Sequence, residues 1–238
     1  MLSRIINMIV IDIDQRAKTT LETIGHPSYD LDAMSQAIAR QCPLTGCIGF
    51  IDGTVRPMCR PMRHQELVYN GHKRKHALKY QSIMMANGMM VLHGPFEGRR
   101  HDSFLLGESG AKEQLAQLPL RADGSVYVIY GDPAYALQAQ IISPFPTHNN
   151  YTDERRQFNE GMSTVRQSVE YGFGKTIQYF SYLDFAKGQK LYLSPIGRYY
   201  RVGVLFTNIH TCLYGSAVTS LLRVKAPEVR DYLVLIDE

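Results

Sequence analysis

Cysteine is scarce in this 238-residue chain, and scattered where it occurs. Cys42, Cys47, Cys59 and Cys212 show no CxxC spacing and fall short of the density of a disulfide scaffold, so reduced thiols are expected and structural zinc is not. Long apolar runs are missing as well. Those near the N-terminus are interrupted by Asp12 and Asp14 before a membrane span is complete, and no signal-peptide pattern precedes them. The expectation is a soluble protein with no membrane partner. Excess charge is also small: 26 Lys and Arg against 22 Asp and Glu leave a net +4, a total that says little about polyanions. At 45% hydrophobic and 20% charged residues, the chain does not look disordered and is able to bury one full core, or a core plus a small appendage.

The distribution of charge says more than its sum. Arg56, Arg60 and Arg63 are followed by His72-Lys73-Arg74-Lys75-His76, then by Lys79 and by Arg99-Arg100. Residues 56–100 are thus the basic part of the chain, as phosphate-backbone binding requires. Three acids stand in separate settings around it: Asp52 in Gly49-Phe50-Ile51-Asp52-Gly53-Thr54, Asp132 in Val128-Ile129-Tyr130-Gly131-Asp132, and Glu170 on a polar helical stripe. Carboxylates converging from strand ends and a neighbouring helix are able to hold two divalent ions, the arrangement that drives phosphodiester cleavage. Taken singly, each signal is ambiguous, because Asp-Gly is an ordinary turn and a surface Glu is ordinarily solvated.

Periodicity places these residues on elements. Residues 5–41 read as helical, with Leu31, Met34, Ala37 and Ile38 forming the last apolar stripe, and Pro43 and Gly46 end it. A short strand, 48–51, runs into Asp52, and residues 55–70 read as an ordered loop. Segments 76–86 and 89–96, joined by Asn87-Gly88, predict a hairpin. Asp102 is expected to cap a helix. Strands are expected at 126–130, ending on Gly131-Asp132, and around 140–142. From Asp153 to Phe180, Phe158, Met162, Val165, Val169, Phe173, Ile177 and Phe180 recur every three or four residues, the stripe of a long buried helix. Asn159, Ser163, Arg166 and Glu170 make a second, polar stripe beside it. This order predicts a layered α/β domain, and it resembles a ribonuclease-H-like core, a mixed sheet flanked by helices whose first three strands are antiparallel and whose later ones lie parallel to the first.

Other candidates compete for the site. Asp102, in His101-Asp102-Ser103, is a candidate to approach a metal or phosphate, although capping explains it; Glu97 sits beside Gly98 in a turn. His72 and His76 lack the one-turn helical spacing and the glutamate of an HExxH site. Arg166, one turn before Glu170, is placed to orient it through an ion pair.

The chain resembles DDE superfamily endonucleases of the PIF/Harbinger transposase type. The resemblance rests on GFIDGTVRPMCRP at 49–61, YNGHKRKHALKYQ at 69–81, GPFEGRRHD at 94–102, GDPAY at 131–135, FNEGMSTVRQSVEYGFGKTIQYF at 158–180 and LFTNIHTCLYG at 205–215. It implies a metal-binding triad at Asp52, Asp132 and Glu170, beside which Asp102 and Arg166 are the candidates for a supporting role. It also implies DNA as substrate, a separate Myb-like DNA-binding partner, and the nucleus as location. Transposases of this type carry a helix-turn-helix region ahead of the catalytic domain. Here about 46 residues precede the Asp52 strand, so the expected division is a helical N-terminal segment at 1–46 and an endonuclease domain at 47–238.

Two Mg²⁺ or Mn²⁺ ions are the expected cofactors, since hard carboxylate oxygens suit them. Lys73, Arg74, Lys75, Arg99 and Arg100 are expected to hold DNA phosphates without selecting bases. A homo-oligomer is a further expectation. Two other functions fit the same residues: a domesticated, catalytically inactive adaptor binding DNA or protein, and a cellular nuclease acting on RNA or RNA–DNA hybrids.

Overall fold

The computed structural model describes residues 2–135, 137–147 and 151–236, without the side chains of 168–171 and 173. The N-terminal helical stretch is divided into α1 (Leu2–Arg16), α2 (Lys18–Glu22) and α3 (Leu31–Ala39). Gly25 and Pro27 fall in the gap before α3, and Asp30 restarts the helix by accepting the Ala33 N–H at 2.9 Å. Then follow β1 (Cys47–Pro57), α4 (Gln65–Val68), β2 (Tyr69–Asn70), β3 (Lys75–Met85) and β4 (Met90–Glu97). The β3–β4 turn needs Gly88 at φ +79°, the left-handed conformation the Asn-Gly pair predicts. After α5 (Asp102–Glu108), α6 (Ala111–Ala116), β5 (Val128–Tyr130) and β6 (Ile141–Ile142) comes the long α7 (Asp153–Tyr179). Its N-cap is Thr152, and Asp153 and Glu154 lie in its first turn, where the helix dipole favours negative charge. The chain closes with α8 (Ile196–Tyr214), α9 (Ala217–Leu222) and α10 (Val229–Tyr232).

The six-stranded sheet runs β4-β3-β1-β5-β6, with β2 pairing the far end of β3. Strand β3 pairs antiparallel with β1 on one side and with β4 on the other, while β5 lies parallel to β1 and β6 parallel to β5. The mixed sheet flanked by helices is the ribonuclease-H-like arrangement expected.

Directly opposed antiparallel residues share a face, so Phe50, Asp52 and Thr54 lie on one side with Met84, Ser82 and Tyr80. On that side α7 rests on β3 so closely that a Cβ at Gly172 would meet the Met84 side chain, and Tyr200 of α8 packs its ring on Tyr80 at 4.8 Å. Ile51, Gly53 and Val55 lie on the other side with Ile83, Gln81 and Lys79. There α3 packs on β1 and α5 on β3.

The structure departs from the sequence expectation in β1 and in the 55–70 loop, which holds α4 and β2, and it adds α8, for which the sequence pattern predicts no element. Strand β1 does not stop before Asp52; it continues through Asp52 to Pro57, where Thr54–Pro57 pair with Ala77–Tyr80. Helix α8 carries Arg201, Thr207, Asn208 and Thr211 on its buried side, so its sequence lacks a clean apolar stripe. The Arg201 guanidinium is held by Asp14 of α1 and, at 2.8 Å, by Glu22 of α2, which anchors the N-terminal helices on α8. Such a buried charge must be paired, because leaving one partner alone costs several kcal/mol. No helix among the described residues is long and apolar enough to cross a membrane.

Candidate active site

Strands β1 and β5 run parallel with Phe50 opposite Tyr130. Asp52 stands two residues beyond Phe50 and Asp132 two beyond Tyr130, so neighbouring strands carry the two acids toward the same region. Asp132 is two residues past the end of β5, whereas Asp52 lies inside β1. Gly131 makes the close approach of the two strands feasible, since a Cβ there would lie 2.8 Å from the Tyr135 ring and 2.9 Å from Ile51.

Each carboxylate is held locally. Asp52 Oδ1 accepts the Gly53 N–H at 2.8 Å, and Asp132 Oδ1 accepts the Ala134 N–H at 2.9 Å. From α7, Arg166 reaches down to place Nη2 3.4 Å from Asp52 Oδ2. Burial pushes the Asp52 carboxyl above the ordinary carboxylate range, and the negative charges of Asp132 and Asp102 push it further; Arg166 and the Gly53 N–H pull the other way. Asp52 therefore senses both other aspartates, a concentration of negative charge suited to a cation.

Glu170 lies one helical turn beyond Arg166 on α7, between Arg166 over Asp52 and Gly172 over Met84. Its side chain lies outside the described residues. Among the described residues, no three His, Cys, Asp or Glu side chains form a metal-holding group. The donor chemistry of Asp52 and Asp132 nevertheless fits a hard divalent cation: two carboxylates carried by adjacent strands β1 and β5, the first raised in proton affinity by burial and by neighbouring negative charge. Arg166 pairs with Asp52, and the ion pair expected between Arg166 and Glu170 falls on a side chain outside the described residues.

Asp102 departs from its expected role. The N-cap position of α5 belongs to His101, which makes no side-chain cap bond, and Asp102 is the first helical residue. Its carboxylate pairs instead with Lys79, Nζ to Oδ1 at 2.8 Å. Lys79 consequently leaves the basic surface assigned to it from sequence: it is 6% exposed and also donates to the Arg100 carbonyl at 2.9 Å. Alternation along β3 carried the signal, because Ala77, Lys79, Gln81, Ile83 and Met85 share one face and all five are buried. Gln81 and Tyr135, both fully buried beside this pair, were missed as well.

The remaining basic residues divide in two. His72, Lys73 and Arg74 are exposed on the turn between β2 and β3, held by the Lys73 N–H donating to Asn70 Oδ1 at 2.8 Å, and Lys75 is exposed at the start of β3. Arg99 and Arg100 share the Glu97 carboxylate at 3.0 and 2.8 Å, and Arg100 also stacks over the Phe104 ring at 4.2 Å. Glu97 thus organises two arginines. His76 packs its ring on Tyr69, and all four cysteines are free.

A family model described as DDE superfamily endonuclease matches residues 51–208, about two thirds of the chain. Comparison with curated proteins gives no match, and comparison with solved structures gives none either. The matched span begins one residue before Asp52, takes in Asp132 and the whole of α7, and ends within α8; the chain belongs to the DDE superfamily endonucleases.

Proposed function

We propose that the protein is a metal-dependent DNA endonuclease of the PIF/Harbinger transposase type, with Asp52, Asp132 and Glu170 as its metal-holding carboxylates and residues 47–238 as its endonuclease domain. The observation that carries this reading is the pair of aspartates, one within β1 and one two residues past the end of the adjacent parallel β5, with the Asp52 carboxyl raised by burial and by the charge of Asp132. The backbone of α7 at Glu170 runs between two points of contact with the same sheet face, which supports the third place in the set.

Asp52, Asp132 and Glu170 would hold two Mg²⁺ or Mn²⁺ ions, which when bound supply an activated water and charge stabilisation at the leaving 3′ oxygen. The chain's own residues do the rest. Backbone N–H groups of Gly53 and Ala134 orient the aspartates, and Arg166 offsets part of the negative charge that crowds Asp52. The exposed 73–75 cluster, with Arg99 and Arg100, is suited to phosphate contacts, which fix the position of a duplex without reading its sequence. Hydrolysis breaks the phosphorus–oxygen bond on the 3′ side and leaves a 3′-hydroxyl, the group a transposase uses for strand joining.

The test is nicking of supercoiled plasmid by the full chain with Mg²⁺ or Mn²⁺, beside duplex, single-stranded and RNA–DNA hybrid substrates. Metal-dependent nicking of duplex DNA supports the reading. Cleavage confined to hybrid or RNA redirects it to a cellular nuclease, and no cleavage of any substrate makes the protein a non-catalytic adaptor.

A further inference from the structure

Gly53 is contacted from two sides. Its N–H donates to the carboxylate of Asp52, and a Cβ placed on it would sit 2.1 Å from Asp102 Oδ1, so the Asp102 carboxylate rests where any side chain at residue 53 would go. Asp102 is itself fixed by the Lys79 ammonium at 2.8 Å, on the sheet face opposite Asp52. Lys79 has only 8% of its side chain exposed, and its other bond goes to the Arg100 carbonyl. Below the pair, the Tyr135 hydroxyl lies beside the Gln81 amide without a formed hydrogen bond, and both side chains are fully buried. A helix cap does not account for this arrangement, since Asp102 does not occupy the capping position.

We propose that the Lys79–Asp102 ion pair is a positioning device for Asp52, acting through Gly53. The pair presses on the Cα side of Gly53 and so sets the orientation of the 52–53 peptide, whose N–H holds Asp52 Oδ1. The Lys79 ammonium holds Asp102 as an ion pair, and in this arrangement Asp102 is the support on which a metal ligand is set rather than a ligand itself. A buried ammonium paired to a carboxylate is suited to this task, because displacing either partner strands the other's charge. Partners that orient metal ligands from behind typically change metal affinity by about 10- to 100-fold when removed. The inference rests on the assignment of Asp52 as a metal-holding residue.

The experiment uses the full chain as wild type, Asp102→Asn, Lys79→Met and the double variant. Three readouts are taken: Mn²⁺ affinity by calorimetry, the Gly53 amide resonance in metal-free protein, and thermal melting. The expected result is a loss of Mn²⁺ affinity of at least about 10-fold in each single variant, a displaced Gly53 amide in both, and a double variant little worse than the weaker single, as for residues acting as one unit. Wild-type Mn²⁺ affinity and an unmoved Gly53 amide in folded single variants overturn the proposal, whatever happens to melting. Loss of affinity in Asp102→Asn with full retention in Lys79→Met also overturns it, because Asp102 is then a ligand in its own right. Should Asp102→Asn not fold, the double variant, which leaves neither charge behind, takes its place. If wild type binds no Mn²⁺ at all, the proposed function fails, and the Gly53 amide alone decides the positioning role.

Discussion

Arg166 on α7 and Asp52 on β1 stand 3.4 Å apart, Nη2 to Oδ2, although 114 positions separate them in the chain. This contact fixes one turn of the long helix over the strand that carries the first acid. It also opposes the burial that raises the Asp52 carboxyl.

Replacing Arg166 by Gln is therefore expected to raise Asp52 further. A carboxyl raised in the folded state costs nothing at pH below its unfolded value and its full penalty above its folded value. The metal-free protein accordingly gains stability as the pH falls through that window. Side-chain carboxyl NMR of the metal-free protein, titrated from neutral to acid, checks this. Asp52 should titrate above the ordinary aspartate range in wild type and higher still in Arg166→Gln, while Asp52→Asn should remove that part of the pH dependence of melting. An Asp52 that titrates as a free aspartate contradicts the electrostatic account.

Asp52→Asn and Asp132→Asn should each reduce Mg²⁺-dependent cleavage by at least about 100-fold, the lower scale for removing a strong catalytic electrostatic interaction. Neither should unfold the chain, because the backbone N–H bonds of Gly53 and Ala134 are able to go to an amide oxygen as well. Plasmid nicking with circular dichroism on the same samples measures both. Cleavage near wild type in either variant removes that residue from the metal-holding set.

Changing Lys73, Arg74 and Lys75 together to Ala should weaken DNA binding and flatten its dependence on salt, by a slope of about 0.9 for each phosphate that is no longer neutralised. The weakening should be similar on unrelated sequences. Fluorescence anisotropy across a salt series reads this directly, and an unchanged slope leaves the turn as a solubilising surface.

Glu170→Gln should cost metal affinity and cleavage, whereas Glu160→Gln, on an exposed part of α7, should cost little. Both remove one negative charge from the same helix, so the comparison isolates position. Calorimetric Mn²⁺ titration and nicking of the two variants should rank them in that order. The reverse ranking shifts the third ligand along α7.

Much of this fold was legible because single residues force local structure. Asn87-Gly88 dictates the β3–β4 turn, and the three-four spacing from Phe158 to Phe180 dictates α7, which begins at Asp153 and ends at Tyr179, one residue short of the expected end. Illegible features were those set by tertiary partners. Asp52-Gly53 reads as a turn, yet β3 pairs the chain straight through it to Pro57. Lys79 reads as surface charge until Asp102, 23 residues on, is brought to it. Helix α8 hides its period because Arg201 and Asn208 are buried to serve Asp14, Glu22, Tyr232 and the Met90 backbone. At the site, the two aspartates stood out by the apolar strands before them, but the burial of Lys79 and Gln81 beside them depends on which face of β3 is covered.

The central claim is that Asp52, Asp132 and Glu170 form one metal-holding set, and a crystal structure of the full chain with Mn²⁺, read by anomalous diffraction, tests it most directly. The account predicts manganese bounded by these three carboxylates, with Asp102 remaining on Lys79. Manganese absent from them at saturating concentration, or bound by Asp102 with Glu170 turned away, would contradict it.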